Sequence, residues 1–483
     1  MAALVILVGV IRLAGYALID WDEGVFALHG RWFASGGAEG KPFNFQTPPL
    51  YQLMVGGLFK IGGPHPIFLP ILALVFSILT VYALYYYGRR IYDERTALAA
   101  IAVFITSEFF LFFSRSGLSE AVFLLFFWSA FASFLVGLNS GRTRDFLGAG
   151  IFTVLAMYTK YSAPVLLPIF AVIGGLHRKS INRKWFWLTI VLPTLVFLPY
   201  LFVFIRYVTP PVIAERHFLI LGLNHLRFLY YLLVFAPAAL ILAALYSSRI
   251  QKTDYYLYIA FLIFFVVLGF YRPYFRLAYP LIPILAFLAG RFLILSGRWR
   301  PYLLTFSVLV SLALGVRTVI YRSRIPAEIA AEVGRSIRDG KIGYYLAAVP
   351  PNILAYLPGR LALPEDHPAV RLGRRFPSLM RGRLIIQPEN NRLIGQDRTI
   401  FLYSTVMDPF QSEHDGLLNR GQRRRIWDFI DAPVYYRDIF NPLRNRKQLY
   451  AIYWFEHAEM KEDLDRLWRL GFLPECQVFN NSK

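Results

Sequence analysis

The chain is 483 residues long, 57% hydrophobic and only 17% charged, with 51 Lys+Arg against 30 Asp+Glu. Soluble proteins carry about 25% charged and about 45–50% apolar residues, so one globular core, a fibrous chain and a disordered chain are all excluded. The surplus is uneven: residues 1–320 hold 26 Lys+Arg and 11 Asp+Glu, whereas the last 163 hold 25 and 19.

This pattern reads as a polytopic α-helical membrane domain, residues 1–320, followed by a soluble domain, 321–483. A span needs about 20 apolar residues. On that rule eleven spans are expected: 2–18, 67–88, 95–113, 118–138, 145–158, 161–176, 185–205, 227–247, 255–271, 277–295 and 301–320. The opening stretch Ala2–Leu18 lacks a charged leader and a cleavage pattern, so it is read as a retained span. The long first loop, 19–66, holds two amphipathic stretches, Glu23–Ser35 and Pro49–Ile61, that are too short to cross and suit the interface.

Charge sets the expected topology. Short loops carrying Arg89-Arg90 and Arg95, Arg142 and Arg144, Arg178-Lys179 with Arg183-Lys184, Arg249 and Lys252, and Arg298 and Arg300 alternate along the chain. Basic loops of this kind stay in the cytoplasm. The loops 19–66, 206–226 and 272–276 and the tail then face outward. Of the net charge of +21, 15 (26 minus 11) belongs to residues 1–320, where such loops account for it without nucleic acid. The single cysteine, Cys476, permits no internal disulfide.

The tail alternates apolar runs (Ile342–Val349, Leu384–Ile386, Thr399–Val406) with helical stretches such as Glu459–Leu470, punctuated by Gly and Pro. It is expected to be a small α/β domain. Its Arg423-Arg424-Arg425 run reads as a solvated face.

Motifs of soluble enzymes are missing. Gly36-Gly37-Ala38-Glu39-Gly40-Lys41 has its glycines too close for a P-loop, and Pro42 stands where Ser or Thr is required. Carboxylates carry the information, because the membrane part has so few. Asp20, Asp22 and Glu23 cluster directly after the first span, where charge is costly unless it meets water, a metal or a partner. Asp20 also fits as a cap for a helix starting at Glu23. Glu120 opens the fourth span from an outer loop, either as a charge favourable to the helix dipole or as a functional acid. Glu108 lies inside the third span and is expected to pack into a wet cavity. Lys160, Arg272 and Arg276 are outer-edge cations against the charge rule; headgroup snorkelling is their bland role, above all for Arg272.

Asp22-Glu23-Gly24, Arg31, Gly36-Gly37 and Gln46-Thr47-Pro48-Pro49-Leu50 resemble the first outer loop of GT-C glycosyltransferases, closest to the bacterial and archaeal relatives of protein O-mannosyltransferases and of the lipid A aminoarabinose transferase. Arg115…Glu120, Thr159-Lys160 and Arg276-Leu277…Pro280…Pro283 follow in the family's order, so the resemblance covers roughly residues 1–300. Thr47 stands where the aminoarabinose branch usually has Lys, which argues against that branch's substrate.

The resemblance implies sugar transfer from a polyprenyl-phosphate donor to a lipid, glycan or protein acceptor on the outer face of the cell membrane, with inversion. It implies Asp22 as base, with Glu23 and Glu120 assisting. The phosphate falls to Lys160, Arg276 and Arg272. The chemistry agrees, since an acceptor hydroxyl needs a base and a phosphate leaving group needs fixed cations. A divalent metal is a further candidate cofactor, with Asp20, Asp22, His217 and His225 as its available ligands. Two other classes stay open: a transporter or flippase, which calls for charges or helix breaks near span midpoints, and a membrane-anchored sensor.

Overall fold

A computed structural model describes residues 17–18, 20–41, 43, 45, 47–177, 184–207, 223–246, 250–269, 274–320 and 325–338, with the tail segments 344–347, 355–356, 360–362, 398–404, 422–429, 448–456 and 475–478. Nearly all of the expected first span lies outside them, as do His217, Arg272 and the tail stretches 384–386 and 459–470.

The helices run α1 Trp21–Ala34, α2 Leu50–Gly62, α3 Phe68–Ile91, α4 Glu94–Thr106, α5 Glu108–Phe113, α6 Glu120–Ser140, α7 Thr143–Met157 and α8 Leu166–Leu176. They continue as α9 Leu192–Tyr207, α10 Leu223–Phe235, α11 Pro237–Ala244, α12 Lys252–Leu268, α13 Leu281–Leu295, α14 Arg300–Ile320 and α15 Ile325–Arg338. Among the described residues, four helical stretches are long and apolar enough to cross a membrane: Phe68–Ile91, Glu120–Ser140, Lys184–Val203 and Gly297–Val316. The other expected spans that are described are shorter or broken. The stretch 95–113 divides at Ser107, whose backbone is extended and whose hydroxyl accepts from Phe110 N. The stretch 227–247 bends by 108° between Asn224–Phe235 and Pro237–Ala244. Pro237 supplies no N–H and disfavours helix at Ala236 before it.

The chain forms two compact units, one of residues 1–14, 45–51 and 70–321 and the other of 15–44, 52–69 and 322–483. In the first, small residues bring helix backbones together, as in membrane bundles generally. A Cβ on Gly290 of α13 would lie 2.9 Å from Ala100 N of α4, and one on Gly150 of α7 would lie 2.1 Å from Leu188 O. Aromatic side chains fill the space between: Phe109, Phe113, Phe275 and Tyr279 are stacked or tilted against one another.

In the second unit, α1 and α2 cross at facing glycines. A Cβ on Gly30 would meet Val55 Cγ1 at 2.5 Å, and one on Gly56 would meet Phe33 Cβ at 2.8 Å. The glycine-rich turn after α1 is structural, because Gly40 has φ +79° and lies against Leu28 O, while Lys41 N donates to that same carbonyl. The tail strands β1 Tyr344–Ala347, β2 Arg360–Ala362, β3 Arg398–Ser404, β4 Gln422–Phe429, β5 Gln448–Glu456 and β6 Glu475–Val478 form a sheet of order β2-β6-β1-β3-β5-β4. Only β1 and β3 pair in parallel among these strands. The arginine run 423–425, expected as a solvated face, lies on β4 at a register shift against β5.

Candidate active site

The acid cluster after the first span is organised by the backbone of α1. Asp20 is the N-cap: its Oδ1 accepts from Asp22 N at 2.9 Å, and Glu23 Oε2 accepts from Asp20 N at 3.0 Å. The two carboxylates close a reciprocal capping box. Helix α1 therefore starts at Trp21, two residues earlier than expected. Asp20 and Glu23 are buried, whereas Asp22 is half-buried. Of the three acids, Asp22 alone lies outside the box as a carboxylate.

A tail segment packs on this turn within the same unit. Arg31, buried on α1, donates from Nη2 to Ala355 O, and its Nε lies 4.0 Å from Glu39 Oε2. Leu18 N donates to Tyr356 Oη at 2.8 Å. Burial pushes the Tyr356 phenol well above its ordinary value; the Leu18 hydrogen bond opposes the rise and the Glu23 charge adds to it. Neither Ala355 nor Tyr356 carries a motif in the sequence.

The other unit assembles a second cluster. Glu120 is the first residue of α6 and its side chain is 2% exposed. Lys160 Nζ donates to Glu120 Oε1 at 2.5 Å, and Arg276 Nε lies 3.7 Å from the same oxygen. Glu120 Oε2 is enclosed with no hydrogen-bond partner among the described residues. The two cations retain exposure, 17% for Lys160 and 24% for Arg276. Lys160 sits just beyond the end of α7, with its N–H on Ala156 O and its ammonium over the Phe123 ring. Its neighbour Thr159 turns its hydroxyl back to Leu155 O. Arg276 belongs to a 3₁₀ turn, Phe275–Ala278, and lies over the Tyr274 ring. Three residues chosen from separate motifs thus meet at one carboxylate oxygen.

The Gln46–Leu50 motif is held by groups the sequence did not single out. Phe45 has φ +59°, a left-handed conformation that is uncommon for a bulky residue and costs about 1–3 kcal/mol unless its surroundings enforce it. Its carbonyl accepts from Tyr161 Oη at 2.7 Å and lies 3.3 Å from Tyr200 Oη. Tyr200 donates to Thr47 O, Leu50 N donates to Tyr158 O, and Tyr51 Oη donates to Gly117 O. Three tyrosines from two regions therefore fix this segment.

The remaining candidates divide. Arg115 is buried, donating from Nε to Leu111 O and from Nη2 to Thr318 O, while Thr318 Oγ1 donates to Glu108 Oε1. Arg115 and Glu108 thus fasten α5 to α14 through buried hydrogen bonds. His225 places a ring nitrogen 3.2 Å from Val266 O and packs on Phe265. Among the described residues no group of three or more His, Cys, Asp or Glu side chains is placed to hold a metal ion, and the Asp20 carboxylate caps α1. Arg272 and His217 lie outside the described residues.

The model of the dolichyl-phosphate-mannose-protein mannosyltransferase family matches residues 46–202. That stretch includes the Gln46–Leu50 motif, Glu120 and Lys160. The fold is similar to ArnT from Cupriavidus metallidurans, both bound to undecaprenyl phosphate (TM-score 0.62, 14% identity) and in the apo state (TM-score 0.63, 13% identity). Each comparison covers 93% of this chain and 96% of that one. It is also similar to the oligosaccharyltransferase of Archaeoglobus fulgidus in complex with zinc and sulfate (TM-score 0.51, 12% identity, 83% of this chain and 67% of that one). No curated protein sequence matches. The chain resembles the GT-C glycosyltransferases in motif order, in a stretch of family-like sequence and in fold.

Proposed function

We propose that the chain is a polyprenyl-phosphate-dependent membrane glycosyltransferase that moves one sugar to an acceptor at the outer face of the cell membrane, with inversion. One observation supports this reading above the others: Lys160 and Arg276, the two cations drawn from the family-like motifs, converge on one buried acid while remaining partly exposed. A fixed pair of this kind suits a phosphate whose charge grows as the sugar leaves, and the Arg fork suits two phosphate oxygens at once.

Asp22 acts as the base, drawing the proton from the acceptor hydroxyl as its oxygen attacks the anomeric carbon. Glu23 shapes the turn that carries Asp22. Glu120 serves as counter-ion rather than as base, because its Oε1 is engaged by both cations. Arg272 is proposed as a further phosphate-binding cation, and residues 321–483 as an α/β domain outside the membrane. The acceptor is a lipid, glycan or protein hydroxyl or phosphate. The undecaprenyl phosphate of the ArnT crystal structure makes a polyprenyl phosphate the natural first carrier to try.

Purified protein incubated with a panel of polyprenyl-phosphate sugars tests the reading directly. Release of free carrier phosphate that depends on an added acceptor is the expected result. Carrier transport across vesicles without sugar transfer would replace the transferase with a flippase.

A further inference from the structure

Backbone amides at Leu18, Asp20 and Asp22, at the entry to α1, each meet a side-chain oxygen: Tyr356 Oη at 2.8 Å, Glu23 Oε2 at 3.0 Å and Asp20 Oδ1 at 2.9 Å. The last two acceptors are local and close the capping box, which orders the turn internally. The first comes from the tail, 338 positions along the chain. Its neighbour Ala355 accepts from Arg31 Nη2 of the same helix, in a contact where Arg31 is 5% and Ala355 1% exposed. Arg31 stands about three turns into α1, but helical side chains lean toward the N-terminus. Two consecutive tail residues therefore engage both the approach to α1 and the helix itself, within one compact unit.

We propose that Tyr356 is a positioning residue for sugar transfer: through Leu18 N it sets the backbone that carries Asp22, so the tail takes part in the reaction. The inference rests on reading Asp22 as the base. A base acts only within about 2.6–3.2 Å of the atom whose proton it takes, and a misplacement of about 1 Å costs up to about 10²-fold. The Asp22 carboxylate is carried by the backbone of residues 18–22, so whatever holds that backbone aims it. Burial and the Glu23 charge both keep the Tyr356 phenol protonated. The tail thus brings a neutral oxygen to Leu18 N and adds no further anion beside the acids. Tyr356→Phe deletes that oxygen while leaving the ring and the local charge as they are.

The test is a double-mutant cycle on the full chain in nanodiscs, with wild type, Y356F, D22N and the pair assayed on undecaprenyl-phosphate sugars. Y356F should lower kcat about tenfold, less than the loss of a base. Undecaprenyl phosphate affinity should stay at the wild-type value, because Lys160 and Arg276 belong to the other unit. In the D22N background Y356F should cost nothing more, since residues that act as a unit are not additive. Hydrogen exchange over residues 18–23, which needs no substrate, should quicken about fivefold in Y356F, the weight of one net hydrogen bond. A merely structural tyrosine would slow both backgrounds by the same factor, and that result overturns the inference. Unchanged exchange, wild-type turnover in Y356F or a matching loss of undecaprenyl phosphate affinity does so too. A slow D22N beside a fully active Y356F removes the inference and leaves the base standing, whereas a fully active D22N removes both. Should Y356F fail to fold, R31K, which lacks the Nη2 that meets Ala355 O, runs the same cycle with the same expected and overturning results.

Discussion

Helices Trp21–Ala34 and Glu120–Ser140 both begin with a buried glutamate in the first turn, yet the two carboxylates are used in opposite ways. Glu23 turns back onto its own helix, accepting from the N-cap N–H in a box completed by Asp20. Glu120 has no such local work: its helix starts at Ser119 without a side-chain cap, and the acid meets a lysine beyond α7 and an arginine in a 3₁₀ turn before α13. An acid at a helix start is favourable to the macrodipole in either case, so position alone does not distinguish scaffold from site. The partners do. Backbone partners close to it in sequence suit Glu23 to a scaffold role, and partly exposed cations brought from distant motifs suit Glu120 to the proposed binding site.

The largest expected effect tests the acid left outside the box. Asp22→Asn should lower turnover by about 10²–10⁴-fold, the usual weight of a general base, while Glu23→Gln should spare folding, since Gln closes a capping box as Glu does. Steady-state rates with a lipid-linked sugar separate them. A Glu23→Gln enzyme as slow as Asp22→Asn would erase the distinction between scaffold and site within α1.

Next in size comes the phosphate pair. Hydrogen bonds to charged groups are worth about 1.5–3 kcal/mol, so Lys160→Ala should weaken carrier-phosphate binding by about tenfold or more. Arg276→Lys should also weaken it, because the charge remains but the planar fork is lost. Titration of undecaprenyl phosphate against each purified variant reads both. A snorkelling residue would tolerate the lysine, and unchanged affinity in the two variants would leave Glu120 a buried structural ion pair.

The parts legible in sequence were those set by local pattern. Asp20-x-x-Glu23 before an apolar run is a capping-box signature, and the two amphipathic loop stretches appear as α1 and α2 within two residues of their expected ends. The motifs located Lys160, Arg276 and Glu120 individually. Their convergence on one oxygen was hidden, because tertiary packing across three separate loops decides it. Span continuity was also hidden: Ser107 and Ala236 break helices inside runs apolar enough to read as one. Nothing in the residue type announces the positive φ of Phe45, which Tyr161 and Tyr200 enforce from outside. Arg115 shows the converse, a motif residue whose guanidinium is consumed by the carbonyls of Leu111 and Thr318.

Smaller effects probe the scaffold side of the comparison. Removing an N-cap carboxylate costs about 0.5–2 kcal/mol, and Asp20→Ala loses both the acceptor for Asp22 N and half of the box. Thermal unfolding in detergent should register that loss for Asp20→Ala. Asp93→Ala should match it, because Asp93 caps α4 through Thr96 N at 2.8 Å and holds Thr96 Oγ1 as well. Burial alone would raise the Asp93 carboxyl, but those bonds from Thr96, the Arg291 charge and a backbone hydrogen bond from Arg95 bring it below its ordinary value. A folded value below the unfolded one makes its stabilisation complete above the unfolded pKa and lost as pH falls through the folded one. Asp93→Asn should therefore flatten the acid limb of the stability profile.

The smallest expected effect is at the start of α6. Ser119 is the residue type that most often caps a helix, so sequence alone would assign it the same cost as Asp20. Its backbone is helical rather than extended, however (φ −72°, ψ −5°), and its hydroxyl makes no capping bond to the first turn. With no cap to lose, Ser119→Ala should stay within about 0.5 kcal/mol of wild type, the range of substitutions that disturb no specific interaction. Carrier-phosphate affinity should be unchanged too, since Glu120 is held by Lys160 and Arg276 and not by its own N-terminal turn. The same unfolding and titration assays check both halves. A loss near that of Asp20→Ala would mean that the turn before α6 orders Glu120 locally, and the contrast between the two helix starts would collapse to a difference of degree.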